Sequence, residues 1–205
     1  MQTVTLVDSG LSNIDSAVRA IEYCGGNPVV SRDPDVVAKA GRLILPGVGA
    51  FPVAMQRLTS LGLVDAIRTS VLHAQRPMLG ICLGMQLLAS IGHEHESVAG
   101  LDLIKGAIVP LRSNHDNERI PHIGWNTVED DGTCPLLKGI PPKSDFYFVH
   151  GFCFQPQDFE SIQARTPSFG NFASIVGSRQ VFGTQFHPEK SQTAGFALLK
   201  NFLSL

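Results

Sequence analysis

A cysteine between two glycines is the residue of this sequence best suited to covalent chemistry. Gly80-Ile81-Cys82-Leu83-Gly84 joins an apolar run at 78–81 to residues 83–90, for which we predict a helix. In a sharp turn from strand to helix the nucleophile has a strained backbone, and a side chain on either glycine would clash. The N-terminus of a helix also stabilises a thiolate. The pattern predicts a nucleophilic Cys82, with a buried packing cysteine as the alternative.

A thiol nucleophile needs a base, and the base needs a group that orients it. His187-Pro188-Glu189 can supply both. In an extended segment residues 187 and 189 point to the same side, so Glu189 can accept a hydrogen bond from one ring nitrogen while the other faces the thiol. Taken alone, His187 would more often be an ordinary loop histidine.

Acyl transfer also needs N–H donors for the developing oxyanion. One candidate is the N–H of Leu83, directly after the nucleophile. Another is the N–H of Val48, because Gly47 and Gly49 allow the backbone to turn there, at the end of a strand in the same predicted sheet. The alternative is an ordinary turn from strand to helix.

Three of these segments together resemble a known family. Pro46-Gly47-Val48-Gly49, Gly80-Ile81-Cys82-Leu83-Gly84-Met85-Gln86 and Phe186-His187-Pro188-Glu189 are similar to the signatures of the triad (class I) glutamine amidotransferases. More narrowly, Pro121-His122-Ile123-Gly124-Trp125-Asn126 and Tyr147-Phe148-Val149-His150 resemble the glutaminase subunits of imidazole glycerol phosphate synthase, an enzyme of histidine biosynthesis. The similarity extends over nearly the whole chain.

The resemblance implies a reaction and a set of roles. Cys82 would attack the side-chain amide of glutamine, with His187 as base and Glu189 orienting it, and water would hydrolyse the thioester to glutamate. Gly47 and Gln86 would lie near the bound glutamine. The family uses no metal and no organic cofactor for this step.

The resemblance also implies a partner. In this family ammonia passes to a (β/α)₈-barrel cyclase, which forms imidazole glycerol phosphate and aminoimidazole carboxamide ribotide. The residues that the family places at the subunit contact or the active-site rim are Ile123, Trp125, Asn126, Tyr147, His150 and Lys190. Trp125, in a predicted polar turn, could instead be a core anchor, and Lys190 a solvated surface charge. We further hypothesise that a flip of the Gly47–Val48 peptide completes the oxyanion hole when the cyclase is loaded, that is, when it has bound its nucleotide substrate.

Two other functions stay open at this stage. The same glutaminase could feed a different synthase, such as a sugar amidotransferase, or the chain could be a catalytically silent regulatory subunit. The presence of Cys82, His187 and Glu189 argues against the silent subunit. The Pro-His-x-Gly-Trp-Asn block argues against the vitamin-B6 branch of the family.

The elements that must position these residues follow a strand–helix alternation over the first 90 residues. Apolar runs at 3–7, 28–30, 43–45 and 78–81 alternate with helical patterns, which predicts a parallel sheet buried on both faces. After residue 100 most runs resemble strands, and a final helix covers 193–203. We predict one α/β domain over 1–205, with an open, mostly parallel sheet flanked by helices and a C-terminal half richer in strands.

Composition narrows the partners and the compartment. The 205 residues are 43% hydrophobic and carry a net charge of −2, which argues against a nucleic-acid partner and a basic membrane-binding surface. The N-terminus lacks the basic start of a signal peptide, and no apolar run is long enough to cross a bilayer. Four cysteines without a paired spacing indicate reduced thiols and a cytoplasmic protein.

Overall fold

The computed structural model describes residues 2–113 and 118–205. Residues 114–117, part of a polar stretch that matches no motif, lie outside the described residues. The strands are β1 Thr3–Val7, β2 Asn27–Ser31, β3 Leu43–Gly47, β4 Met78–Cys82, β5 Ile91–Gly92, β6 Val98–Ala99, β7 Gly106–Pro110, β8 His122–Thr127, β9 Asp145–His150, β10 Phe152–Pro156, β11 Ile162–Thr166, β12 Phe172–Ser178 and β13 Val181–Thr184. The α-helices are α1 Ile14–Tyr23, α2 Pro34–Ala38, α3 Phe51–Ser60, α4 Leu63–Arg68, α5 Leu83–Gln86, α6 Ser168–Asn171 and α7 Gln192–Leu203.

A seven-stranded sheet forms the centre of the molecule, in the order β11-β12-β13-β4-β3-β1-β2. The five strands from β13 to β2 pair in parallel, while β11 and β12 are antiparallel additions at one edge. This is the mostly parallel sheet that the strand–helix alternation predicted.

The burial of the central strands explains their continuous apolar sequences. Every residue of β3 and β4 is buried, and one hydrophobic cluster covers each face of the sheet. Helices α1 and α7 pack on one face, and α3 and α4 on the other. At the edge, β2 leaves Val29 and Val30 exposed.

Within the described residues, two smaller sheets complete the fold. One has the order β10-β7-β5-β6, and the other is the antiparallel ribbon β8-β9. In the ribbon Trp125 pairs with Tyr147 and His122 with His150. The polar turn predicted around Trp125 is therefore wrong: the residue lies in a strand, where alternation turns its side chain outward and that of His122 inward.

The helix predicted after Cys82 is shorter than expected. It ends at Gln86 instead of residue 90, because the N–H of Ser90 donates to the Gly106 carbonyl instead of continuing the helix. Helix α3 was not identified from the sequence, although Phe51, Ala54 and Leu58 follow a helical period and are buried. None of the helices in the described ranges is both long and apolar enough to span a bilayer.

Candidate active site

The parallel pairing brings three predicted segments to one edge of the central sheet. Strands β3, β4 and β13 are neighbours, and their carboxyl ends are Gly47, Cys82 and Thr184. Gly47 stands opposite Cys82 in the register, and the chain leaves β13 directly into Gln185. In open α/β sheets this edge is where ligands bind.

The backbone at Cys82 is the strained turn that the glycine spacing predicted. Cys82 has φ +54° and ψ −109°, a backbone conformation that is strained for any residue other than glycine. A Cβ on Gly80 would stand 2.5 Å from the Gly84 carbonyl oxygen, and one on Gly84 would overlap the Leu45 carbonyl. Both glycines are therefore required by close backbone contacts around the turn. Because α5 has four residues only, its dipole stabilises a thiolate less than the longer predicted helix would.

The His187–Glu189 pair forms, but not in an extended segment. Pro188–Lys190 is a turn of 3₁₀-helix, with the Lys190 N–H donating to the His187 carbonyl. In this turn Nδ1 of His187 donates to Oε1 of Glu189 at 2.7 Å, and both side chains are almost fully buried. The predicted extended geometry is wrong, whereas the predicted contact is present.

Burial and the neighbouring anions act in opposite directions on His187. Burial lowers its pKa, but interactions with Cys82 and Glu189 outweigh that effect and raise the pKa of His187 to about 10. Nε2 is buried and has no hydrogen-bond partner among the described residues. Since His187 and Cys82 line the same cavity, this nitrogen is available for proton exchange with sulfur or substrate.

We expect Glu189→Gln to lower the pKa of His187 and the rate of the glutamine hydrolysis that the motifs predict. Loss of the carboxylate removes the group that orients the ring, which should reduce kcat by at least about 10²-fold. In the wild type the stabilisation from protonated His187 is complete below pH 6.5 and is lost as the pH rises towards 10. In Glu189→Gln that loss should occur at lower pH, as measured by urea unfolding between pH 6 and 10. Glu129→Gln, at a carboxylate paired with Lys143 on the surface, is the control; equal pH profiles for wild type and Glu189→Gln would contradict the assignment.

A cavity of about 240 Å³ lies above Cys82 and holds most of the predicted site. Its lining includes Val48, Gly49, Cys82, Leu83, Gln86, His187, Glu94, Val149, His150, Gly151 and Phe152. Glu94 was not predicted as a residue of this site; its Oε2 accepts a hydrogen bond from the N–H of Phe51 at 2.7 Å. The carboxylate can also pair with an ammonium group in the cavity. No local pattern predicts such an ion pair for Glu94, because the polar stretch around it is typical of a solvated loop.

Gln185 is a second residue that the sequence did not assign. It is fully buried, its Oε1 accepts from Nε2 of Gln86 at 3.2 Å, and its Nε2 lies 3.9 Å from Sγ of Cys82. Its place directly before the Phe-His-Pro-Glu motif was the only available signal.

In the segment Pro46-Gly47-Val48-Gly49, the predicted oxyanion loop, the Val48 N–H has a different orientation from the one that the sequence suggested. The N–H of Val48 donates to the Leu11 carbonyl at 2.8 Å, so it does not point into the cavity. Gly49 has φ +105°, which gives this loop the conformational freedom that the two glycines predicted. Leu83 follows Cys82 directly and lines the cavity.

A larger cavity, of about 720 Å³, lacks the groups that this chemistry needs. It lies between β10 and the α6 segment, and its described lining contains Cys153 but no histidine or carboxylate. Burial raises the pKa of Cys153 to about 11, so this residue is a thiol at neutral pH. Within the described ranges no group of three or more His, Cys, Asp or Glu side chains is arranged to hold a metal ion.

The predicted partner residues divide into surface and interior. Ile123, Trp125 and Lys190 are exposed, with 48% of Trp125 accessible, and Tyr147 and Asn126 are half-buried. Such exposure excludes a core-anchor position for Trp125. His150 is 6% exposed and lies in the cavity wall, so its direct contacts are with the site.

The fold and this constellation define a class of protein. The chain matches the family Glutamine amidotransferase class-I over residues 5–205. The crystal structure of a glutamine amidotransferase has the same fold, with a TM-score of 0.77, 19% identity and coverage of 98% of this chain and 97% of that one. The chain belongs to the class-I glutamine amidotransferase family. The predicted fold class is confirmed.

Similar proteins within the family carry a more specific name. Imidazole glycerol phosphate synthase subunit HisH 1 of Prochlorococcus marinus (strain MIT 9313) is 46% identical over 210 residues, covering 98% of this chain and 97% of that protein. The HisH 1 subunit of Campylobacter jejuni (strain RM1221) is 41% identical over 202 residues, covering 98% of this chain and all of that protein. The resemblance that the motifs indicated is confirmed.

Proposed function

We propose that this chain is the glutaminase subunit of an imidazole glycerol phosphate synthase. The observation that carries the proposal is one cavity lined both by a cysteine on a strained strand-to-helix turn and by the histidine of a buried His–Glu pair. This arrangement suits nucleophilic attack on a carboxamide, and the HisH relatives supply the pathway.

In the first half of the reaction Sγ of Cys82 attacks the side-chain carbonyl carbon of glutamine. The raised pKa of His187 favours the protonated ring, so His187 already holds the proton taken from the thiol when sulfur attacks. It gives this proton to the departing nitrogen, so that the C–N bond breaks, a thioester forms and ammonia leaves. Glu189 holds the imidazole through Nδ1 and stabilises its protonated form. The carboxylate of Glu94 is placed to pair with the substrate's α-ammonium group.

In the second half water replaces ammonia. His187 takes a proton from water, hydroxide adds to the acyl carbon, and the C–S bond breaks to give glutamate and free Cys82. The N–H groups of Leu83 and Val48 are our proposed donors to the oxyanion of both steps.

The ammonia passes to a partner subunit rather than to bulk water. By analogy with the family this partner is a (β/α)₈-barrel cyclase, which uses the ammonia to form imidazole glycerol phosphate and aminoimidazole carboxamide ribotide. We place the contact on the exposed face of β8 and β9, around Ile123, Trp125 and Tyr147, with Asn126 and Lys190 at its edges. His150 acts from inside the site.

The test is glutamate release from glutamine by the purified chain, alone and with a barrel cyclase and its nucleotide substrate. We expect strong stimulation by the loaded cyclase. Hydrolysis without stimulation would support the glutaminase activity but would indicate that the ammonia goes to a different synthase. No hydrolysis under either condition would support a silent regulatory subunit instead.

We propose that the Gly47–Val48 peptide turns over when the partner is loaded. The Val48 N–H, now bound to the Leu11 carbonyl, would then point into the cavity and complete the oxyanion hole. The amide of Val48 should be protected from hydrogen exchange in the free chain and should lose its bond to Leu11 in the active complex. A complex in full turnover that keeps the Val48–Leu11 bond would contradict the proposal.

Trp125→Ala should weaken binding of the cyclase far more than it weakens the fold. A large aromatic side chain at the centre of an interface commonly contributes about 2 kcal/mol or more to binding. Because nearly half of Trp125 is already exposed, its loss should change the thermal midpoint only slightly. Phe159→Ala removes an aromatic ring that is 84% exposed at a different cavity and is the matched control. A drop in thermal midpoint without loss of binding would contradict the interface role of Trp125.

A further inference from the structure

Two histidines outside the triad lie hydrogen-bonded to each other beside the cavity. Nδ1 of His122 is 3.0 Å from Nε2 of His150, and Nδ1 of His150 is 2.8 Å from the Phe152 carbonyl oxygen. Both side chains are buried, at 5% and 6% exposure. The ring of His122 also stacks on Phe148, with centroids 4.8 Å apart, so its orientation is held by packing.

The Phe152 carbonyl, which accepts from His150, determines which ring nitrogens of the two histidines carry hydrogen. A carbonyl oxygen can only accept, so Nδ1 of His150 carries hydrogen. If the ring is neutral, its Nε2 is a bare acceptor, and the hydrogen between the two rings belongs to Nδ1 of His122. Nε2 of His122 is then bare as well.

The hydrogen bond between Asn126 and His122 independently requires the same positions for the ring hydrogens. The N–H of Thr127 donates to Oδ1 of Asn126 at 2.9 Å, which turns Nδ2 of Asn126 towards His122. Nδ2 can only donate, and it lies 3.3 Å from Nε2 of His122. Burial lowers the pKa of His122 to about 4 and that of His150 to about 3, which agrees with two neutral rings.

The Phe152 carbonyl also connects the hydrogen bonds of the histidine pair to Cys82. It accepts a second hydrogen bond, from Nε2 of Gln86 at 3.2 Å, and the other hydrogen of the same amide goes to Oε1 of Gln185. That bond leaves Nε2 of Gln185 directed at Sγ of Cys82. One run of hydrogen bonds therefore extends from Asn126 on β8 to the reacting sulfur.

We propose that His122 and His150 are positioning residues of the glutaminase site, a neutral pair protonated at Nδ1 that transmits the position of β8 to the Phe152 carbonyl and, through Gln86 and Gln185, to Cys82. The outer face of the same strand carries Ile123 and Trp125, so a partner that shifts β8 changes the cavity wall by way of these rings. The catalytic consequence rests on the proposed function, whereas the proton positions do not.

The proton positions can be read from ¹⁵N NMR of the imidazoles in the full chain. We expect both His122 and His150 to carry hydrogen on Nδ1 and none on Nε2, with no change from about pH 8 down to about pH 5. The spectrum of each single histidine variant assigns its signal. Hydrogen on Nε2 of either ring, or a doubly protonated ring at neutral pH, would overturn the proposal.

A matched pair of variants tests the effect on the reaction. In His122→Asn the amide nitrogen is as many bonds from Cα as Nδ1 and can still donate to His150, whereas in His122→Gln it lies one atom further out and cannot. Both variants lose the ring stacking on Phe148, so a merely structural role would impair them equally. With the loaded cyclase present, we expect His122→Asn to stay within about threefold of the wild-type kcat and His122→Gln to fall roughly tenfold, the effect of one buried hydrogen bond.

The outcomes separate this inference from the proposed function. Equal loss in the two variants, at equal thermal midpoints, would overturn the positioning role while the wild type still hydrolyses glutamine. A wild type that is inactive with the loaded cyclase would overturn the proposed function itself, and the NMR result would still decide the proton positions.

Discussion

Cys82→Ser should abolish glutamine hydrolysis and leave the protein folded and bound to its partner. The hydroxyl is a far weaker nucleophile than the thiolate in a site built for sulfur, so kcat should fall by at least about 10⁴-fold. The side chain is small and buried, and its replacement by one of nearly the same shape should cost little stability. Glutamate release with the loaded cyclase measures the first effect, and thermal unfolding and co-elution with the cyclase measure the others.

The same substitution at another free cysteine is the control for Cys82→Ser. Cys24 is half-buried against α7, where its thiol donates to the Phe196 carbonyl, and it does not line the catalytic cavity. Cys24→Ser should hydrolyse glutamine at the wild-type rate. Wild-type rates in Cys82→Ser would refute the nucleophile assignment, and equal losses in both variants would indicate a general effect on the fold.

Gly84→Ala should be the most destabilising single methyl addition at the site. The new Cβ would overlap the Leu45 carbonyl oxygen of β3, which is backbone in the middle of the central sheet and cannot move aside cheaply. We expect the free energy of unfolding to fall by more than about 3 kcal/mol, because either the sheet or the turn must shift. Urea unfolding of the variant measures this change.

Gly41→Ala is the matched control, since an added Cβ there meets no atom within 4 Å and the backbone is not left-handed. Its stability should stay within about 0.5 kcal/mol of the wild type. If Gly84→Ala were as stable as Gly41→Ala, the close packing of the turn against β3 would not be what requires glycine there.

Local patterns were sufficient for the features that depend on neighbours in the sequence. The glycines around Cys82 predicted a strained turn, since a Cβ on Gly80 would clash with the Gly84 carbonyl only four residues later. The strand–helix alternation predicted parallel pairing, which places the ends of β3 and β4 side by side. Where the local prediction failed, as in the length of α5, a distant group had intervened: the Gly106 carbonyl takes the N–H of Ser90.

The sequence by itself determined the class of this protein, the strained Cys82 turn and the candidate triad, because each is encoded in a short motif or in spacing along the chain. Only the tertiary structure decided that Glu94 lines the cavity, that the Gln185 amide faces Sγ of Cys82, that the Val48 N–H is bound to Leu11, and that His122 and His150 face each other. These contacts join residues far apart in the chain. Their geometry depends on how separate elements pack, for which a single sequence carries no local signal.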